Sequence, residues 1–563
     1  MVSSGDEKDF KENDPSNAHI ESQSQNDSAA QWSVRQIIAT ISLSILWVGS
    51  QVPLYFTGGM LSYMAADLGG AALTSPSWIP VCNTLAVASV APFSGYLTDI
   101  FGRRNITLIG SLLIMVGIVV VGTAHHFGQA IAGMSIAGAG AGIGELTALG
   151  GVAELVPVKH RGLYLGGIVS FLIPFTPYVL YSQLLATRTS EGWRWCFWIS
   201  LIYNFIAFVG MVFTYFPEKH IVIEKENRMQ TLKKIDWLGA VFSILVTDLK
   251  SSLVALQAGG YTHPWKSGHV LAQLIIGILL IIAFVIWEWK GAKVPMVPKE
   301  LFQGQQTVGV TFLLLFVAGM NFYSLINFFP LTFSNVYAPD PVQVGLKGLG
   351  YGISVTAGAT IINWALSIFK NHNRELMIAC CIVMTAFSGA LAVVNPTNPK
   401  TAVALGTIAG FGVGGVLVPP STIALTVCPD SLIATTVALS LSIRVIGGSI
   451  GYTIYFNIFS EKLTNALPTY VANAVAAAGL PQADTMAFVG TFLTDPMSIM
   501  GVPGATPAIV AAATRGSQEA YSYALRFVWY TSIAFGVVAI VAACFLGNNR
   551  KYLTDRVAAK IRN

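Results

Sequence analysis

Apolar residues in this chain come in long runs. Between residues 37 and 546 about fourteen stretches of roughly 20 residues alternate with short polar breaks, each stretch long enough to cross a hydrocarbon core as a helix. They fall at 37–63, 78–96, 106–124, 130–156, 163–186 and 196–216, then 238–258 and 270–287, then 308–333, 350–369, 376–394, 402–427, 432–459 and 527–546. Membrane strands would give alternating segments of about 10 residues. The run 106–121 is instead apolar throughout apart from Gly, Ser and Thr, so helices are the expected form.

Composition agrees with the pattern. Apolar residues make up 54% of the chain and charged residues only 10%, against about 25% charged in soluble domains. An integral membrane protein in contact with the lipid bilayer is expected, and soluble classes, nucleic-acid binding among them, are excluded. Residues 1–35 are polar, acidic and Ser/Asn-rich, and read as a disordered cytoplasmic tail that is not a signal peptide. The six cysteines, Cys82, Cys196, Cys380, Cys381, Cys428 and Cys544, lie in or beside apolar runs without metal or disulfide spacing. The net charge of +5 says little, but basic residues gather in the loops that share a side with the N-terminus, which puts both termini in the cytosol. The sequons at Asn26 and Asn105 would then stay unglycosylated. The expected organisation is a six-helix bundle at 36–216, a basic cytoplasmic linker at 217–236, two inserted helices at 237–290, a second six-helix bundle at 305–547 with an external loop at 461–521, and a cytoplasmic tail at 548–563.

Enzyme motifs fail on context. Gly410, Gly412 and Gly415 match GxGxxG and Gly447, Ser449 and Gly451 match GxSxG, yet both sets lie inside apolar runs with no strand before them. No Walker lysine motif and no HExxH occurs. The expectation is a protein that is not an enzyme, with no catalytic residues, no cofactor and no metal.

The densest charge between two apolar runs is GYLTDIFGRR, 95–104. Gly95, Leu97, Asp99, Gly102, Arg103 and Arg104 resemble the signature that major facilitator superfamily transporters carry after their second span. Gly95 permits close helix approach, Asp99 can sit against the positive end of a facing helix, and the arginines can bridge to acidic groups. The resemblance implies a latch on the cytoplasmic side in the outward-open state. In ELVPVKHRG, Glu154, Pro157, Arg161 and Gly162 look like the second gating loop, with Glu154 the natural partner of Arg103 or Arg104. Two extra helices between six-helix halves are similar to the 14-span fungal drug transporters. HPWKSGHV (263–270), PMVPKELF (295–302) and IRVIGGSIGYTIYFNIF (443–459) look more narrowly like the trichothecene efflux pump and siderophore transporter branch. The implied fold is an all-α major facilitator fold with 14 spans.

Departures stand beside the matches. The arginine that drug/proton antiporters place early in the fourth span corresponds to Met134, and Gly166, Gly167, Pro174 and Pro177 supply the antiporter residues of the fifth span at altered spacing. Proton coupling therefore needs other ionisable groups inside the membrane, which are costly unless paired or facing a cavity. Glu145 shares a helix face with Gly138, Gly142 and Leu149 and can load and release a proton there. Arg444 in the penultimate span can hold an anionic group or pair with a carboxylate, and Asp248, with Lys250 two residues on, lies in the seventh span. Trp47, Tyr55, Phe56, Tyr178, Asn321, Tyr323 and Asn327 are the candidate walls of a cavity for a small amphipathic organic substrate. The expected function is export of hydrophobic toxins, secondary metabolites or drugs by proton antiport through alternating access. Proton-coupled siderophore uptake is the alternative, and a non-transporting sensor or scaffold is the alternative of another class. A monomer in the plasma membrane, or in a vacuolar or vesicle membrane, is expected.

Overall fold

The computed structural model describes residues 34–68, 78–217, 267–291, 297–302, 306–337, 340–494 and 496–554. Helices account for nearly all of them, and no strand occurs among the described residues. The first half contains α1 (Val34–Asp67), α2 (Trp78–Phe101), α3 (Arg103–Gly122), α4 (Phe127–Leu155), α5 (Arg161–Ser170), α6 (Tyr178–Arg188) and α7 (Arg194–Thr214). A peripheral helix α8 (Gly268–Ile286) follows. The second half contains α9 (Thr307–Val336), α10 (Pro341–Ile368), α11 (Asn373–Ala390), α12 (Pro399–Leu417), α13 (Pro419–Val427), α14 (Ile433–Ala477), α15 (Gln482–Thr494) and α16 (Pro507–Cys544).

Eleven of these segments are long and apolar enough to cross a membrane, with α5 and α6 forming one span and α12 and α13 another. The helices α2 and α8 are of similar length. The expected seventh span at 238–258, with Asp248 and Lys250, and the linker at 218–236 lie outside the described residues, so a count of fourteen is not reached among them. The breaks inside two spans follow from proline. Pro174 and Pro177 separate α5 from α6, and Pro419 and Pro420 separate α12 from α13, where a missing N–H ends the preceding ladder.

Surface composition fixes the solvent. Along α3, Ile109, Leu112, Val116 and Val119 are exposed while Ile106, Gly110, Ile114, Gly117 and Val121 are buried, so the buried stripe recurs at helical spacing and the opposite face is as apolar as the core. The helix α8 likewise exposes Leu271, Ile275, Ile276, Leu279, Ile282 and Ile286. Apolar surface on that scale requires lipid.

Small residues set the packing. Within the first half α4 packs on α1, α2 and α3, and within the second α10 packs on α12 and α14 on α9 and α16. A Cβ on Gly142 would meet the Val87 carbonyl of α2 at 2.9 Å, and one on Gly451 the Met320 Cα of α9 at 2.6 Å, so helix approach there depends on the missing side chains. The glycines of both enzyme-like motifs serve this packing.

The segment 461–521 is largely helical. α14 runs for 45 residues and α16 for 38, about 68 and 57 Å at 1.5 Å per residue, well beyond a hydrocarbon core of about 30 Å. Their projecting ends and α15 bury a small core of their own, built on Val471, Val475, Leu480, Phe488, Val489, Ile499, Ile509 and Ala513.

Candidate gate and substrate cavity

The turn between α2 and α3 is made by Gly102, whose φ of 85° lies in the region that side chains disfavour. It delivers Arg103 and Arg104 to the first turn of α3. Arg103 pairs with the buried Glu154 at the end of α4. Arg104 takes another course, donating to the Val212 carbonyl at 2.8 Å and lying 4.0 Å from the Phe216 ring centroid, which Arg35 also approaches at 4.5 Å. Gly95 faces the opening turn of α14, where a Cβ would be 3.8 Å from Ala434 C and Thr435 N. The Asp99 side chain lies outside the described residues.

Arg161 connects the halves. It is 1% exposed, donates to the Ala153 carbonyl of its own half at 2.8 Å and to the Leu425 carbonyl of the other half, and lies 3.8 Å from Asp430. Alongside it α5 lies against α10. The Leu163 N–H donates to Ser367 Oγ at 3.0 Å, and Trp364 Nε1 donates to the Leu163 carbonyl at 3.1 Å. Above this layer Val87, Ala88, Ala91 and Ala141 of the first half pack on Leu441 and Val445 of the second. The basic-loop side is therefore closed.

Beyond that layer α2 and α14 part. A cavity of ≈ 760 Å³ lies between α1, α2, α9 and α14, lined among others by Gln51, Tyr55, Tyr323, Asn327, Ser449 and Tyr452. Gly58 on its wall is exposed, and Leu54, Tyr55, Ile326 and Tyr452 are half-buried. Deeper between the halves lie cavities of ≈ 420 Å³, with Trp47, Gln51 and Arg444, and ≈ 290 Å³, with Tyr178 and Tyr351. Tyr55 and Phe322 line all three, with ring centroids 6.4 Å apart and edge to face, so one aromatic pair divides the outer space from the inner ones. Trp47 Nε1 and the Tyr351 hydroxyl, both buried, have no hydrogen-bond partner among the described residues.

At the floor, Arg444 of the second half pairs with Glu145 of the first, and Gln51 Nε2 donates to the other carboxylate oxygen of Glu145 at 2.6 Å. Glu145 is 1% and Arg444 7% exposed. An ion pair this deep is tolerable because both charges are matched and hydrogen-bonded. Met134, at the expected arginine position, is fully buried among neutral groups, with Thr57 Oγ1 3.9 Å from its sulfur.

Of the residues read as cavity walls, the structure gathers Trp47, Tyr55, Tyr178, Tyr323 and Asn327 around these spaces. Phe56 and Asn321 sit among packed side chains instead: Phe56 is edge-on to Phe175, and Asn321 Oδ1 accepts from the Tyr455 hydroxyl at 3.3 Å. Asp248 lies outside the described residues. Gln51, Phe322 and Tyr351 escaped sequence reading, because an amide, a phenyl ring or a phenol inside an apolar run carries no signal of which way it faces.

On the opposite side, Asp67 at the end of α1 accepts from Trp193 Nε1 at 3.0 Å and from Arg194 Nη1 at 2.8 Å. Burial raises the Asp67 carboxyl, but the Trp193 and Arg194 hydrogen bonds and the Arg194 charge outweigh it and hold it below its ordinary value.

Two helical halves, closed by basic loops at one end and parted around a central cavity at the other, define a major facilitator transporter. Solved structures agree on the fold. The proton:xylose symporter XylE bound to 6-bromo-6-deoxy-D-glucose aligns with a TM-score of 0.56 at 13% identity, over 93% of this chain and 98% of that one. The human organic anion transporter MFSD10 aligns at 0.52 and 12% identity, over 91% and 100%. The sequence model of the fungal trichothecene efflux pump family matches residues 27–563, and the chain belongs to that family. It is similar to Trichothecene efflux pump TRI12 of Fusarium sporotrichioides, 26% identical over 475 residues that cover 82% of this chain and 78% of the relative. Efflux pump dotC of Dothistroma septosporum is 27% identical over 475 residues, covering 82% and 79%. The chain is thus a multi-pass integral membrane protein of a transporter family.

Proposed function

We propose that this protein exports amphipathic organic toxins or secondary metabolites, trichothecenes among them, from the cytosol across the plasma membrane in exchange for protons. The observation that carries the reading is the Glu145–Arg444 pair, which joins the two halves at the floor of an aromatic cavity. A proton arriving on Glu145 cancels its charge and releases Arg444, so protonation loosens an ion pair buried between the halves. The transporter works as a monomer, with Arg103, Glu154 and Arg161 closing its cytosolic side in the state described. Both termini, with Asn105, then lie in the cytosol.

The cavity indicates the ligand class. Its walls are aromatic and aliphatic, and two buried donors, Trp47 Nε1 and the Tyr351 hydroxyl, lack acceptors among the described residues. A buried donor left unpaired costs on the order of 1–3 kcal/mol, which a ligand's acceptor oxygen would recover. An apolar body carrying such oxygens suits the site. Siderophore uptake has no observation of its own in its favour.

The test is expression in a toxin-sensitive yeast, with accumulation of a radiolabelled trichothecene measured with and without a protonophore. Lower accumulation that is restored by the protonophore is expected. Unchanged accumulation in cells that display the protein at the surface would contradict export of this class.

A further inference from the structure

Gln51 is an uncharged residue in the middle of α1, yet it occupies a singular position. It lines both the ≈ 760 Å³ outer cavity and the ≈ 420 Å³ inner one. Its Nε2 donates to Glu145 Oε2 at 2.6 Å, while Glu145 Oε1 is taken by Arg444. The two carboxylate oxygens are thus divided between an amide of the same half and a guanidinium of the other half.

The surroundings of Glu145 leave few other groups able to act on its charge. From α1 come Gln51 and Tyr55, from α9 Tyr323 and from α14 Arg444. The helices α2 and α3 meet the neighbouring turn of α4 with Val87, Ala91 and Ile114, which carry no charge.

We propose that Gln51 is a positioning residue, which holds the Glu145 carboxylate in place when Arg444 withdraws and sets the pH at which Glu145 takes up its proton. This rests on the proton-coupled reading above and deepens it. A rocking motion separates groups on different halves and leaves those on one half together. The Arg444 contact is therefore the one that breaks, and the Gln51 contact is the one that stays. With Arg444 gone, the amide N–H becomes the main donor stabilising the ionised carboxylate. Once Glu145 is protonated, the same side chain turned end for end offers Oε1 to accept the new O–H. An amide can serve both protonation states without carrying charge, which a lysine or glutamate at this position could not do.

The experiment is an infrared difference titration of the full-length transporter in proteoliposomes, following the C=O band of the protonated carboxyl, with Glu145→Gln used to assign it. Gln51→Met keeps the length and removes the amide. A donor to a carboxylate shifts the ionisation equilibrium by about 10- to 100-fold, so the midpoint should move up by roughly one to two pH units. Gln51→Glu places a second carboxylate against the first, and the pair should share one proton, again with an upward midpoint. A Gln51→Met midpoint equal to that of the wild type overturns the proposal. If Glu145→Gln abolishes gradient-driven transport while the Gln51→Met midpoint stays, only the role of Gln51 falls. If Glu145→Gln removes no band and transports normally, proton coupling at Glu145 falls, and the role of Gln51 with it.

Discussion

Adding one methyl group at Gly162 should open the gate. Gly162 lies in the first turn of α5, where that helix meets α10 of the other half. A Cβ there would lie 2.7 Å from Ser367 Oγ and closer still to the Asn363 carbonyl oxygen, against 3.4 Å where ordinary contact begins. The serine can turn away, but the carbonyl belongs to the α10 backbone, and the Asn363 side chain is itself bonded to the Ala359 carbonyl and to Thr422. The halves must therefore separate by roughly 1 Å at this end. Overpacking of this kind costs about 1–3 kcal/mol, and because the strain exists only while the gate is closed, the closed population should fall by about 5- to 150-fold. Gly345→Ala is the mirror test. Its Cβ would stand 2.6 Å from Leu180 Cα of α6, at the far end of the contact between α10 and the span that α5 and α6 share, and it should favour separation at that end. Spin labels at Asn105 and Asn371, both exposed on the gate side, would report the distance between the halves in a background free of the six native cysteines. Gly162→Ala should move the distribution outward and Gly345→Ala should not. An unchanged distribution in folded Gly162→Ala would refute the idea that this contact distinguishes the two states.

Other consequences can be checked separately. Arg161→Met leaves the Ala153 and Leu425 carbonyls without their donor, and at about 1–3 kcal/mol per buried orphan the gate-closed population seen by the same labels should fall at least about tenfold. Tyr351→Phe removes only an unpaired hydroxyl, so ligand-free melting should hold or rise slightly while affinity for a radiolabelled trichothecene weakens by about 2- to 10-fold in equilibrium binding. Asp67 is held below its ordinary 3.8 in the folded protein, so its contribution to stability is complete above that value and is lost as pH falls through the lower native one. Asp67→Asn should accordingly flatten the acid limb of the melting temperature and lower the neutral region without changing its pH dependence.

Much of this architecture is legible along the chain, because a bilayer demands long uncharged runs and the chain supplies them. The break at Pro174 and Pro177 is not, because the stretch 163–186 keeps the apolar character of one continuous span across the two prolines. What fails to show is anything that depends on which residues meet across the halves. Glu145 and Arg444 stand out individually as intramembrane charges, but they are 299 residues apart and no spacing rule joins them. Glu154 reads as the partner of Arg103 or Arg104, and the sequence does not choose between them; in the fold Arg103 takes the acid, while Arg104 reaches the Val212 carbonyl and the Phe216 ring. Over 461–521 the sequence predicts an external loop, because Pro and Gly are scattered among its Ala-rich helical patches. In the fold Pro468 sits inside α14, and Gly479, with φ of 98°, ends that helix cleanly.

The central claim is that a proton on Glu145 drives transport by releasing Arg444. It is tested most directly by loading of a radiolabelled trichothecene into inside-out proteoliposomes with an imposed proton gradient, acidic inside, for the wild type and Glu145→Gln. The account predicts gradient-driven accumulation by the wild type and none by the variant, which still binds the toxin. Equal gradient-driven accumulation by both would contradict it.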